Sequence, residues 1–186
     1  MHLRIKIGRN QLLVILIALV FLSLLYYTLT REKPIYSYLY KGRIWVRFRA
    51  DLRKAEEIPV YPSEDIVRRE ILKPVTKNIT IAFIPGERME NSYYALNAAQ
   101  LATSLYYAFR EEFGYVPSFQ TKNISTYENL PGMIQNPMIV FVSPKASNET
   151  SIYLDRGHVI YLRAKSLKDI DLVTTKLCMI VLGIEL

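Results

Sequence analysis

The feature that most constrains this chain is a stretch without one charged side chain, from Asn10 to Thr30. Within it, Leu12 to Leu29 is almost wholly Leu, Ile, Val, Ala and Phe. A bilayer core of ~30 Å needs about 20 helical residues at ~1.5 Å each, and this run supplies them. Tyr26 and Tyr27 stand near its far end, where amphipathic rings favour the headgroup layer. Arg31-Glu32-Lys33-Pro34 then stops the helix, because proline lacks the amide and clashes with the preceding turn. A cleaved signal peptide has a shorter apolar core, about 7–15 residues, and ends in small residues. This run is longer and ends in Leu-Leu-Tyr-Tyr. It reads as a retained single-pass anchor over residues 11–30, behind a short basic tail, residues 1–10.

Orientation rests on two signals that pull against each other. Arg4, Lys6 and Arg9 precede the span without an acidic neighbour, which favours a cytoplasmic N-terminus. More basic residues follow the span, but long domains translocate largely regardless of their charge. Three glycosylation sequons, at Asn78, Asn123 and Asn148, favour an extracytoplasmic domain. The sequence is therefore expected to sit in the cell membrane with its C-terminal part outside.

The net charge of +7 divides unevenly. Residues 1–30 carry +3, residues 31–77 carry +5 and residues 78–186 carry −1. Basicity thus gathers near the expected bilayer, where it meets anionic headgroups. Nucleic-acid binding needs a basic face on the folded domain, and the distal part offers none, so no nucleic-acid partner is expected. A mean hydropathy of +0.10 is the average of one span and an ordinary domain.

Residues 31–74 read as a juxtamembrane hairpin and connector. Tyr36, Tyr38 and Tyr40 alternate before Lys41-Gly42, and Arg43, Trp45 and Arg47 alternate after it. A two-residue turn pairs Tyr40 with Arg43, Tyr38 with Trp45 and Tyr36 with Arg47, giving one aromatic and cationic face. That face suits a membrane surface or an acidic partner. Ser63, followed by Glu64 and Asp65, predicts a helix to about Leu72.

Residues 75–186 predict a small mixed-sheet α/β domain, in two or three layers, with a β-α-β unit and a C-terminal helix. Asn78 to Ile84 is the first strand, and a helix capped at Asn91 or Ser92 runs to Phe113 before Gly114. Val116 to Thr121 and Met138 to Val142 are further strands, followed by a hairpin around Asp155-Arg156-Gly157. Ser166 and Asp169 approximate a capping box for a last helix closed by Gly183. That helix is apolar all round near its end, which suits burial or a contact with a protein partner or a second copy.

Chemistry is sparse. The chain has two histidines and one cysteine, with no metal-ligand spacing, so no metal and no cofactor is expected. Ser143 and Lys145 could form a nucleophile and base if the lysine were desolvated. Ligands of open α/β sheets bind beyond the carboxyl ends of the strands, which here present Gly86, Arg88, Asn91, Ser143 and Lys145. With the following helix N-terminus, these residues suit a small anion. The sequence favours a non-catalytic interaction domain on a membrane anchor. An anchored anion-binding domain comes second, and a Ser/Lys-type hydrolase third.

Overall fold

The computed structural model describes Val20 and residues 36–186. Apart from Val20, the expected basic tail, span and helix stop lie outside the described residues. Among the described residues no helix is long and apolar enough to cross a membrane. In chain order the strands are β1 (Tyr36–Tyr40), β2 (Ile44–Phe48), β3 (Val60–Tyr61), β4 (Asn78–Phe83), β5 (Ser118–Asn123), β6 (Met138–Phe141), β7 (Ser151–Asp155) and β8 (Val159–Arg163). The helices are α1 (Leu52–Glu56), α2 (Glu64–Ile71), α3 (Arg88–Phe113) and α4 (Leu167–Leu182).

Six strands form one mixed sheet in the order β3-β7-β8-β6-β4-β5. Its pairs are parallel except β7–β8, which is the expected hairpin. The interior strand β6 is wholly apolar and its neighbour β4 becomes so from Ile81, because both faces of each are covered. Ile79, Ile81, Ile139, Phe141, Ile152, Ile160 and Leu162 meet the helices on one face. Ala82, Met138, Val140 and Val159 point to the other, where Ile124, Tyr127 and Leu130 of the loop before β6 lie over them. The buried side chains of all four helices join the first cluster, so among the described residues the helices lie on one face of the sheet. Gly132 lets the loop reach the β7–β8 turn, since a Cβ there would collide with the Gly157 carbonyl.

Local signals hold at most helix ends. The Ser63 hydroxyl accepts from the Ile66 amide at the start of α2, and the Ser166 hydroxyl accepts from the Asp169 amide at the start of α4. Gly114 and Gly183 take the left-handed conformation that ends α3 and α4. The start of α3 differs from expectation. The helix begins at Arg88, because Asn91 does not cap it but clasps Gly86, accepting its N–H and donating to its carbonyl, both at 2.9 Å.

The hairpin also differs, by one residue. Lys41 and Gly42 take positive φ, and Arg43 N–H donates to the Tyr40 carbonyl, as a tight turn requires. Yet Tyr40 pairs with Ile44, Tyr38 with Val46 and Tyr36 with Phe48, so Arg43 is an extra, bulged residue. The slip puts the three tyrosines on the same face as Ile44, Val46 and Phe48, all packed on the core. Burial of three rings decides the register, and the joint face of Tyr36, Tyr38, Tyr40, Arg43, Trp45 and Arg47 does not form. Trp45 and Arg47 remain outward, with Ser37 and Leu39 opposite them.

The stretch expected as a connector is part of the same body. Residues 36–186 form one compact unit. Ala55, Val67 and Ile71 are fully buried, and β3 extends the sheet beside β7.

Candidate functional site

Because β4 and β6 are parallel neighbours, their carboxyl ends bring Gly86, Arg88 and Asn91 toward Ser143 and Lys145. The arrangement is already internally satisfied at several points. Lys145 Nζ lies 2.9 Å from Glu87 Oε1, with both side chains well exposed. This hydrogen bond draws Glu87 below the ordinary carboxylate range and raises the Lys145 ammonium. The Ser143 hydroxyl accepts from the Lys145 amide at 3.3 Å, and Ser143 N–H donates to the Tyr127 hydroxyl at 2.9 Å. The lysine thus serves Glu87, and Ser143 forms a local turn with the Lys145 backbone. No nucleophile–base hydrogen bond joins the two side chains.

Behind this rim lies a buried pair the sequence did not signal. Glu90, in the first turn of α3, is 6% exposed and accepts from the Tyr94 hydroxyl at 2.5 Å. Burial, then the bond to Glu90, pushes the Tyr94 phenol well above its usual range. Gly86 leaves room for this carboxylate, since a Cβ there would make the Glu90 side chain shift. Glu87 and Glu90 therefore set two carboxylates beside the helix N-terminus, and an incoming anion must displace Glu87 from Lys145.

His158 stands at the other end of the sheet, in the turn before β8, with its Nδ1 2.6 Å from Glu70 Oε1. The length of β6, about 13 Å at ~3.3 Å per residue, separates it from Ser143, so a Ser–His pair is excluded. Cys178 is fully buried in α4. No group of three or more His, Cys, Asp or Glu side chains able to hold a metal occurs among the described residues.

Burial pushes the Cys178 thiol from 9.0 up to about 11, with Ser104 and Gln100 pulling weakly the other way. The folded chain is expected to leave Cys178 unmodified by N-ethylmaleimide at neutral pH, and to react only once unfolded. Labelling followed by mass spectrometry checks this. The neutral thiol is the folded-state form, so its contribution to stability is intact below the unfolded value near 9. That contribution is lost as pH rises through about 11.

Two larger grooves occur among the described residues, besides a 170 Å³ pocket at the Glu87–Lys145 rim itself. One of 380 Å³ runs between β2 and α3 and is lined by Trp45, Arg47, Arg49, Gln100, Thr103 and Tyr107 among others. The larger, 710 Å³, opens on the sheet face opposite these four helices. Alternation along β7 and β8 directs Tyr153, Asp155, Tyr161 and Arg163 to this face, opposite the inward Ile152, Ile160 and Leu162. Tyr127 and the segment Ala146–Glu149 complete the walls. The alternating aromatic and charged residues were visible in the sequence. The sequence places them in a hairpin but does not show which face the helices cover.

The three sequons differ in setting. Asn123 and Asn148 are exposed, whereas Asn78 is half-buried and its Oδ1 accepts from the Ser118 hydroxyl at 3.1 Å. No protein-family model, curated protein or solved structure matches this chain.

Proposed function

We propose that this chain is a single-pass membrane protein presenting an extracytoplasmic α/β interaction domain, as a non-catalytic component of a membrane or envelope assembly. The observation that carries this reading is the uncharged run from Asn10 to Thr30, which comes in the sequence just before a compact unit. Support comes from the chemistry of that unit. Its serine, lysine, histidine and cysteine candidates are each engaged in local structure or buried, and the exposed Asn123 and Asn148 sequons suit an outside location. The apolar end of α4 is buried inside the chain through Leu182 and Ile184. Partner contacts are therefore assigned to the open sheet face and to the outward side of the hairpin.

Protease added to intact native cells is expected to remove the domain and leave a short N-terminal fragment in the membrane. Complete protection overturns the external placement, and release of the whole chain by alkaline carbonate overturns the anchor. In gently solubilised native membranes the chain is expected to migrate in a complex well above its own 21.6 kDa. Migration alone overturns the assembly role.

A further inference from the structure

We propose that the tyrosine-lined cleft over β7 and β8 binds a neutral oligosaccharide. The inference is independent of the membrane anchor, because it rests only on this face of the sheet.

The cleft has the size of a ligand site. Its 710 Å³ falls in the range of about 300–1,000 Å³ usual for small-molecule pockets. Its floor is aromatic. Tyr153 and Tyr161 are cross-strand partners whose ring centroids lie 6.4 Å apart at a tilt of 35°. Tyr127 adds a third ring at the wall. The negative face of such a ring attracts weakly positive C–H groups, which are what one side of a pyranose offers.

The platform is held before any ligand arrives. The Tyr161 hydroxyl donates to the Tyr127 carbonyl at 3.0 Å, and the Tyr127 hydroxyl accepts from the Ser143 amide. Arg163 lies over the Tyr153 ring, 5.0 Å from its centroid, and is itself fixed to Glu149 Oε1 at 2.6 Å. Little side-chain freedom is then lost on binding, which favours a weakly held ligand such as a sugar.

The charges decide between ligand classes. Arg163 and Glu149 neutralise each other, leaving Asp155, whose carboxylate accepts from the Arg156 amide at 2.8 Å. The Asp155 carboxylate lines the cleft beside the rings, so a further negative charge is opposed here. A cation is opposed as well. The Arg163 guanidinium, held over one face of Tyr153, repels a second positive charge but not an uncharged sugar, which has the Tyr161 and Tyr127 rings and the rest of Tyr153 to lie against. The class that fits is uncharged, with one apolar side and several hydroxyls. Asp155, Glu149, Arg163 and Asn148 set acceptors and donors around the rings for those hydroxyls.

The test uses the full chain in phospholipid nanodiscs, avoiding sugar-based detergents, with chitotetraose, cellotetraose and mannotetraose titrated by calorimetry. At least one is expected to bind with a dissociation constant of about 1 mM or tighter. Tyr153→Ala is expected to weaken it about tenfold or more, and Asp155→Ala about fivefold, while Tyr153→Phe stays within about threefold. Both side chains are exposed, so the variants keep the core, and unchanged melting confirms it. Trp45→Ala, in the other groove, is expected to change nothing. The proposal is overturned if none of the three sugars binds, or if binding survives both alanine variants. Tetramethylammonium or inorganic phosphate binding in the cleft with the same dependence on Tyr153 would also overturn it.

Discussion

Tyr40→Ala is expected to destabilise the domain by about 3–5 kcal/mol, whereas Leu39→Ala, one residue earlier, is expected to cost less than about 1 kcal/mol. The contrast follows from the hairpin register. Tyr40 is 3% exposed and packs with Val46 and Phe48 in the main core, while Leu39 is 38% exposed and faces Trp45 across the ladder. The two-residue turn places them the other way round, with Leu39 inward beside Ile44 and Tyr40 outward beside Arg43. One slipped residue thus exchanges the expensive and the cheap substitution. Thermal unfolding of the purified full chain, followed by near-UV circular dichroism, checks this. A loss of about 3 kcal/mol or more lowers the Tm of a domain this size by roughly 10 °C. Equal costs at the two positions would falsify the bulged register.

That slip shows which structural decisions are local. The start of α2 at Ser63, the start of α4 at Ser166 and the ends at Gly114 and Gly183 each depend on atoms within a few residues. Strand β6 announces its interior position through an unbroken apolar run, and β4 through alternation that turns wholly apolar toward its end. These features were legible in the sequence for that reason. The turn itself was legible too, since Lys41 and Gly42 do adopt positive φ. What followed it was not, because the choice between Tyr and Leu39 as the inward face belongs to the helices beneath the hairpin. The same applies to the short strand β3, which exists only because β7 offers it an edge. Asn91 illustrates the converse: its sequence context suits a cap, but Gly86 lies close enough to be clasped, and the helix winds back to Arg88.

The candidate site divides along the same line. Topology brought Gly86, Arg88, Asn91, Ser143 and Lys145 to one end of the sheet, as adjacency of β4 and β6 requires. The partners that determine what this end can do came from elsewhere. Glu87 takes Lys145, Tyr127 takes the Ser143 amide, and the buried Glu90–Tyr94 pair fills the space behind. Tyr127 belongs to a loop with no periodic pattern, so neither its contact with Ser143 nor its place in the tyrosine cleft is written in local sequence.

The other large effect concerns Lys176, a lysine fully buried in the middle of α4. Its ammonium has three donors, and three oxygens meet them: Glu64 Oε1 at 2.7 Å, Glu56 Oε2 at 3.2 Å and the Glu56 carbonyl at 3.2 Å. Glu56 ends α1 and Glu64 begins α2, so one side chain binds both helices, and the segment between them, to the last helix of the fold. The double change Glu56→Gln and Glu64→Gln keeps the shape but leaves a buried cation facing uncharged groups. It is expected to cost about 3 kcal/mol, at the lower end for a broken buried pair because both carboxylates are about half exposed. Lys176→Met removes the charge and keeps most of the volume. The two carboxylates it leaves behind reach solvent, so its expected cost is under about 1 kcal/mol, and stabilisation is an acceptable outcome. Deleting the acids should therefore harm the domain more than deleting the base they pair with. The asymmetry arises because desolvation falls almost wholly on the lysine. Urea unfolding of the two variants at low and high salt measures it, and only weak salt dependence is expected for a charge so fully enclosed. If Lys176→Met proves the more damaging variant, the ion pair is a net source of stability rather than a device that fixes how α1 and α2 dock on α4.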